Sequence, residues 1–361
     1  MTTETKNDIS FEELLKKAQH AYNQQLPFVC YKPPYHTAVT LLQQQDDTLR
    51  FFNPDMQEQE GFIFAPFNAN EPTVIISPNK VITSLLPTQI PVKNKNISIL
   101  EDTENEKQNH ITLVSKAIEQ IKQGTFQKVV LSRKITLPFV ANPFESFTNI
   151  LTHYPSAFCY LFYHPKIGTW LAATPEVLLY NTKNNFNTMA LAGTQPFKEG
   201  EVDWPSKECE EQQIVTDTIL QQLQDYTYEL EVSAPKTVQA GNIIHLCTLI
   251  KGKMKKGKTF PLIKQLHPTP AVCGYPTQNA KDFILKNEGY NREFYTGYCG
   301  RIAEDYQALY VNLRCMQITD NKTFIYVGGG ITKDSIPEKE YQETQNKAQT
   351  MKHSITNILL P

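Results

Sequence analysis

The sequence predicts an α+β protein: large, mostly antiparallel sheets, helices outside them and a site between them. Three observations point there. With 361 residues, 40% of them hydrophobic and 20% charged, the chain can bury a large core in one large domain or two. Short strand-like segments recur along it, separated by Pro, Asn and Asp turns. Among them stand a few stretches whose apolar residues repeat at steps of three and four, as on a helix with one face on a core. The composition also limits function. A net charge of −2 gives no electrostatic reason for a nucleic-acid or membrane partner, and no apolar run approaches the ~18–20 residues of a membrane span. Residues 1–8 lack the apolar segment of a secretory signal. Seven cysteines without a Cys-x-x-Cys indicate neither a disulfide framework nor a zinc site, so a reducing cytoplasm is the expected setting.

In chain order, residues 11–21 read as a short amphipathic helix and 27–31 as the strand after it, closed by Pro33 and Pro34. Strands are expected at 38–42, 61–65 and 73–77. The polar run 101–107 reads as a solvated connector and the best candidate boundary, which divides an N-terminal part, 1–105, from a core, 106–361. Ile111, Val114, Ile118 and Ile121 mark a helix that stops near Gly124. The next strand, 126–135, places Phe126, Lys128 and Val130 on one face and Val129, Leu131 and Ile135 on the other. A lysine there either snorkels from a strand end or is a base whose pKa burial has lowered.

Residues 170–180 repeat that pattern with the opposite charge. Pro175 marks a break, and Glu176 is either an edge glutamate facing water or a buried general acid kept protonated. Residues 189–194 form a short strand ending in a Gly193-Thr194 turn able to offer N–H groups to an anion. A helix from about Ser206 runs through Glu208, Glu210, Glu211, Val215, Ile219 and Leu223. Glu211 prolongs the apolar stripe inward, or the three acids simply decorate a helix N-terminus. Residues 242–249 read as a strand and the basic run 251–258 as a solvated turn. His267 opens a proline-set loop to Pro276. His245 and His267 lack metal-pair spacing, so each reads as a core or pocket histidine. The strand 310–315 carries Arg314, either reaching water or receiving a carboxylate through paired donors.

Last, three glycines, Gly328, Gly329 and Gly330, end the strand 324–327 in unobstructed backbone. A helix begins near Pro337. Its core stripe is Tyr341, Thr344, Ala348, Met351, Ile355 and Ile358, with Glu340, Glu343 and Lys347 on a neighbouring face. Alone, those three read as an exposed face with one Glu343–Lys347 pair worth roughly 0.2–0.5 kcal/mol.

Together these segments resemble the chorismate-utilising enzymes, and among them the isochorismate synthases. The carriers are Lys-Val-Val-Leu-Ser-Arg at 128–133, Thr-Pro-Glu at 174–176, Leu-Ala-Gly-Thr at 191–194 and the glutamate-rich helix around Glu211. They continue with His-Pro-Thr-Pro-Ala at 267–271, Leu-Arg-Cys at 313–315, Gly-Gly-Gly-Ile at 328–331 and Glu-x-x-Glu-Thr-x-x-Lys at 340–347. The match covers residues 110–360 in order; the first hundred match only in general character.

The resemblance implies the chorismate-utilising enzyme fold and a magnesium-dependent exchange of a ring hydroxyl. Lys128 would activate water to attack C2 of chorismate, and Glu176 would protonate the hydroxyl leaving C4. Glu211 and Glu343 would hold Mg²⁺, with Glu340 close by or acting through water. Arg314, Lys347 and the glycines Gly328 and Gly330 would receive the substrate's other carboxylate. Gly193 and Thr194 would border the ring, and His267 would line the pocket. By the same resemblance, anthranilate-forming relatives carry glutamine in place of Lys128 and use a glutaminase partner, while aminodeoxychorismate synthases carry lysine in place of Ala192. Lys128 with Ala192 therefore implies water as nucleophile and no glutaminase subunit. Salicylate synthases, which go on to release pyruvate, share that lysine and are the alternative; a catalytically silent relative is another. Two positions depart from the family pattern. Gln195-Pro196-Phe197-Lys198 stands where arginines are common, and Gln212 stands where a histidine is usual, which leaves Glu210 as a fallback for Glu211.

Overall fold

The computed structural model describes residues 9–56, 59–90, 102–197, 199–304 and 306–355. Residues 1–8, Glu101, Lys198 and Ile358 of the segments above lie outside them.

The strand Phe28–Lys32 shows how the layers arise. It is buried along its whole length because both faces meet apolar groups. Phe28 and Cys30 pack with Leu14 and Ala18 of the helix Phe11–Asn23. Val29 and Tyr31 point the other way, into a cluster with Phe62, Phe64, Phe158, Tyr160 and Trp170. A strand between a helix layer and a second sheet reads as a continuous apolar run rather than an alternation.

The first sheet runs, edge to edge, Gly274–Tyr275, Lys128–Leu137, Thr323–Ile331, Cys315–Ile318, Gly168–Thr174, Phe158–His164, Phe28–Lys32, Ala38–Gln43 and Lys80–Leu85. The second runs Thr227–Val232, Ile243–Met254, Asn185–Pro196, Val177–Thr182, Tyr306–Val311, Tyr298–Ile302, Gly61–Ala65, Val74–Ile76 and Arg50–Phe51, with Lys236–Ala240 also on Ile243–Met254. Every strand pair among the described residues is antiparallel, as the sequence predicts. The sheets face each other across the aromatic cluster. The first is covered outside by the helices Phe11–Asn23, Pro143–His153 and Pro337–Lys352. The second is covered by Ser206–Leu223 and Thr259–Leu266. Helix, sheet, sheet, helix is the result.

Two stretches cross from sheet to sheet side by side. Gly168–Thr174 belongs to the first sheet and Val177–Thr182 to the second, with only Pro175 and Glu176 between. Proline has no N–H to give a ladder, so the strand must break there. Tyr306–Val311 in the second sheet returns to Cys315–Ile318 in the first through Asn312, Leu313 and Arg314. The two crossings stay tied: the Val311 N–H donates to the Glu176 carbonyl (3.0 Å) and the Ala173 N–H to that of Arg314 (3.1 Å).

Several expectations need correction. Gly328, Gly329 and Gly330 do not follow the strand but lie within it, paired with Ser132, Leu131 and Val130. Gly193 and Thr194 form a bulge in a strand that continues to Pro196, with Gly193 at φ +72°, a conformation that suits glycine. Arg314 sits in the crossing at φ +48°, not in a strand. Lys251 and Lys253 belong to the strand Ile243–Met254, so the turn is shorter than expected. Phe126, just ahead of its strand, packs with Val129 and Leu131 rather than on the Lys128 face. The expected connector is the capped start of the helix Glu104–Lys122: Thr103 accepts from the Glu106 N–H and the Glu106 carboxylate accepts from the Thr103 N–H.

Candidate active site

Glu176, Arg314 and the bulge open onto one cleft enclosing about 640 Å³ of space open to solvent. Its walls include Glu176, Ala192, Gly193, Thr194, Glu211, His245, Arg314, Gly328, Gly329, Gly330 and Lys347. Most of the residues singled out from sequence therefore meet in one place, although they come from strands and helices of both sheets.

Glu176 is 2% exposed. Burial pushes its carboxyl up to about 8, against the opposing pull of Lys128. A carboxyl in that state is a proton donor near neutral pH. Lys128 is completely buried, and its Nζ lies 3.0 Å from Glu211 Oε1. Glu211 forms the cleft wall and Lys128 stands behind it. Burial would raise the Glu211 carboxyl, but Lys128, Lys207 and Lys347 together hold it below the ordinary value. Of the two glutamates the sequence left open, Glu211 is the inward one. Glu210 is exposed beside Lys333.

The glycines make this approach possible. A Cβ on Gly330 would fall 2.1 Å from Glu211 Oε1 and 2.7 Å from its Cδ. Gly330→Ala is expected to push Glu211 off Lys128 and to destabilise the fold by about 1–3 kcal/mol, as overpacking does; urea melts of variant and parent measure it.

On the other side of the strand's glycines stands the helix Pro337–Lys352. Glu340 is 3% exposed, and Glu343 and Lys347 are largely covered, so the plain exposed-face reading does not hold. Lys347 Nζ is 2.5 Å from Glu343 Oε1 and donates to the Gly328 carbonyl at 3.0 Å. Glu340 Oε2 is buried without a hydrogen-bond partner, while Glu340 Oε1 meets Lys207 Nζ at 2.9 Å. Burial and then Glu343 lift the Glu340 carboxyl to about 7, with Lys207 opposing.

Arg314 donates through Nη2 to His245 Nε2 (3.1 Å) and through Nη1 to Thr350 Oγ1 (3.3 Å). An arginine can only donate, so His245 Nε2 accepts and its Nδ1–H is given to the Gly193 carbonyl at 2.9 Å,. Burial, reinforced by Arg314 and Lys347, keeps this imidazole neutral. The histidine thereby links the arginine to the bulge. His267 does not take the place expected of it. Its Nε2 donates to the Pro66 carbonyl (2.9 Å) and its ring packs edge-on to Tyr298, outside the cleft lining. From that loop it is Ala271 and Val272 that reach the cleft, with the Thr269 hydroxyl donating to Glu176 Oε1 at 3.5 Å.

Glu211, Glu340, Glu343 and Glu208 form a set of carboxylate oxygens only, with no sulfur or imidazole. That is the chemistry a hard cation such as Mg²⁺ selects. The unpartnered Glu340 oxygen fits it. Among the described residues no three such groups are yet arranged as ligands around one point; Lys207 lies against them instead.

Residues 73–356 match the family model described as chorismate binding enzyme. The chain belongs to the chorismate-binding enzyme family. Among curated relatives, it is 32% identical to the isochorismate synthase MenF of Escherichia coli (strain K12) over 65% of this chain and 57% of that protein. It is 30% identical to the isochorismate synthase DhbC of Bacillus subtilis (strain 168) over 66% of this chain and 65% of that one. The chain thus spans less than two thirds of the length of either relative. The solved structure of DhbC from Bacillus anthracis superposes with a TM-score of 0.79 at 23% identity, covering 94% of this chain and 99% of that one. MenF of Escherichia coli gives 0.76 at 21%, covering 92% and 89%. At such identities the likeness establishes the fold, and the family's two-sheet architecture is the one described above.

Proposed function

We propose that the protein is an isochorismate synthase, an isomerase that converts chorismate to isochorismate. The observation that carries the reading is the buried Glu176, its carboxyl pushed up to about 8, on one cleft wall, with Glu211 on another and Lys128 paired behind it. Water adds at C2 and its proton passes to Lys128. The ring double bonds shift, the C4–O bond breaks, and the departing hydroxyl leaves as water with the proton from Glu176. Lys128 first has to release its ammonium proton to solvent as Glu211 parts from it, which leaves the free amine that takes the proton from water. Arg314 and Lys347 receive a substrate carboxylate, His245 holds Arg314 in place, and Gly193 and Thr194 border the ring. Glu211, Glu343 and Glu340 would hold Mg²⁺, which when bound neutralises the acids and polarises the substrate's ring carboxylate.

Lys128 together with Ala192 on the cleft wall favours water as the nucleophile, and a reaction that adds water needs no glutaminase subunit. Residues 106–361 form the catalytic core in this reading, and the strands between Phe28 and Leu85 add to both sheets. A cytoplasmic enzyme acting on a small molecule follows; no helix of the described residues is long and apolar enough to cross a membrane. The unusual Gln212 and Gln195 do not argue for a silent relative. Gln212 donates to Thr216 and Thr248 (2.8 and 2.7 Å) and Gln195 to the Asp203 carbonyl (3.0 Å), both outside the cleft lining.

Pure protein incubated with chorismate and MgCl₂ is expected to yield isochorismate and no pyruvate, read by chromatography and a coupled pyruvate assay. Salicylate with pyruvate would make it a salicylate synthase. Chorismate binding without turnover would make it a silent relative.

A further inference from the structure

Lys207 is the one cation of the acidic cluster to which the reaction gives no part. Its Nζ lies 2.9 Å from Glu340 Oε1 and 3.3 Å from Glu208 Oε1, with the side chain mostly covered. The other acids have partners of their own: Glu211 has Lys128 and Glu343 has Lys347. Glu208 and Glu340 therefore share Lys207. Formally four carboxylates face three ammonium groups, one negative charge in excess. A divalent cation entering this balance would leave an excess of one positive charge. Chorismate carries two carboxylates, and a cation and a dianion entering together restore the original balance.

Resting on the metal-dependent reading above, we propose that Lys207 is a cationic placeholder in the acidic cluster, which keeps affinity for free Mg²⁺ low and so couples metal uptake to the arrival of the substrate dianion. Like charges in a poorly solvated site repel strongly, so the ammonium and the metal compete for Glu340. The side chain begins one residue from the start of its helix and keeps some contact with solvent, which gives the ammonium a way out. Lys207 touches no reacting atom in this scheme and acts only through the glutamates, as a positioning residue.

Calorimetric titration of MgCl₂ into full-length protein tests this without measuring turnover. Without substrate, Lys207→Met is expected to bind Mg²⁺ at least about tenfold more tightly than the parent, ~1.4 kcal/mol, whereas Lys207→Arg, which keeps the charge, stays within about threefold of it. In a Glu176→Gln background, used to prevent turnover, chorismate should raise the parent's Mg²⁺ affinity more than that of Lys207→Met. A folded Lys207→Met with affinity equal to or weaker than the parent overturns the proposal, even while chorismate-dependent Mg²⁺ binding by the parent upholds the metal reading. Absence of Mg²⁺ binding in every protein, chorismate present, overturns both. Should Lys207→Met fail to fold by circular dichroism, Lys207→Gln is held to the same criterion.

Discussion

Lys128→Ala is expected to lose turnover and stability together. In the role proposed above, base for the attacking water, the amine is worth about 10²–10⁴ in rate. Its removal also leaves Glu211 as a buried carboxylate without its nearest cation. Breaking a buried pair from one side costs roughly 3–5 kcal/mol, so the urea midpoint should fall as well. The double variant Lys128→Ala/Glu211→Gln separates the two effects. Neutralising the orphaned acid should recover part of the stability and none of the turnover. Product formation from chorismate and denaturant melts of the four proteins in this cycle supply the measurements; an undiminished rate in the single variant would remove the base role.

Glu176→Gln is expected to be slower by about 10²–10⁴, because an amide cannot fill the proposed role of delivering a proton to the departing hydroxyl. The parent has a pH signature the variant lacks. Its carboxyl titrates near 8 in the fold, raised by burial, so the reactive protonated form declines as pH passes about 8 and the rate falls with it. Stability follows the same group with a definite sign. Between the ordinary glutamate value and about 8 the folded chain holds a proton the unfolded chain has released, so folding becomes less favourable as pH rises through that window. Glutamine has no proton to hold, and Glu176→Gln should melt progressively higher relative to its parent across it. Thermal melts at several pH values check this, and parallel curves would show that Glu176 is ionised in the fold.

Much of this site was legible because its chemistry travels in short, ordered motifs. Lys128, Glu176, Glu211, Arg314 and Lys347 are each ambiguous alone, and their order along the chain made them a set. What escaped reading depends on backbone geometry at single positions. Residues 328–330 suggested a loop because glycine is permissive, yet here they hold strand register, with the Glu211 carboxylate against Gly330 on one face and those of Glu340 and Glu343 near Gly329 on the other. Arg314 and Gly193 lie at a crossing and a bulge, features set by how two sheets meet rather than by local preference. The Thr103–Glu106 capping box was present in the sequence, but the surrounding charges disguised it as a connector. Of the two histidines, His267 carried the motif and His245 entered the cleft; which one does so is a matter of tertiary packing. Lys207 gave no signal at all, since a lysine beside a glutamate at a helix start is commonplace on surfaces.

The paired crossings have a consequence for selectivity. Glu176 and Arg314 sit on adjacent antiparallel stretches joined by peptide hydrogen bonds on either side, so the span between the proposed proton donor and the proposed anion receptor is a caliper whose jaws are fixed by main chain. A flexible loop could stretch to grip a larger or smaller ring acid; this clamp cannot. Inserting or deleting one residue at 175–176 or 312–314 would shift one jaw by a strand step, ~3.3 Å, more than the length of any bond in the ring of the proposed substrate.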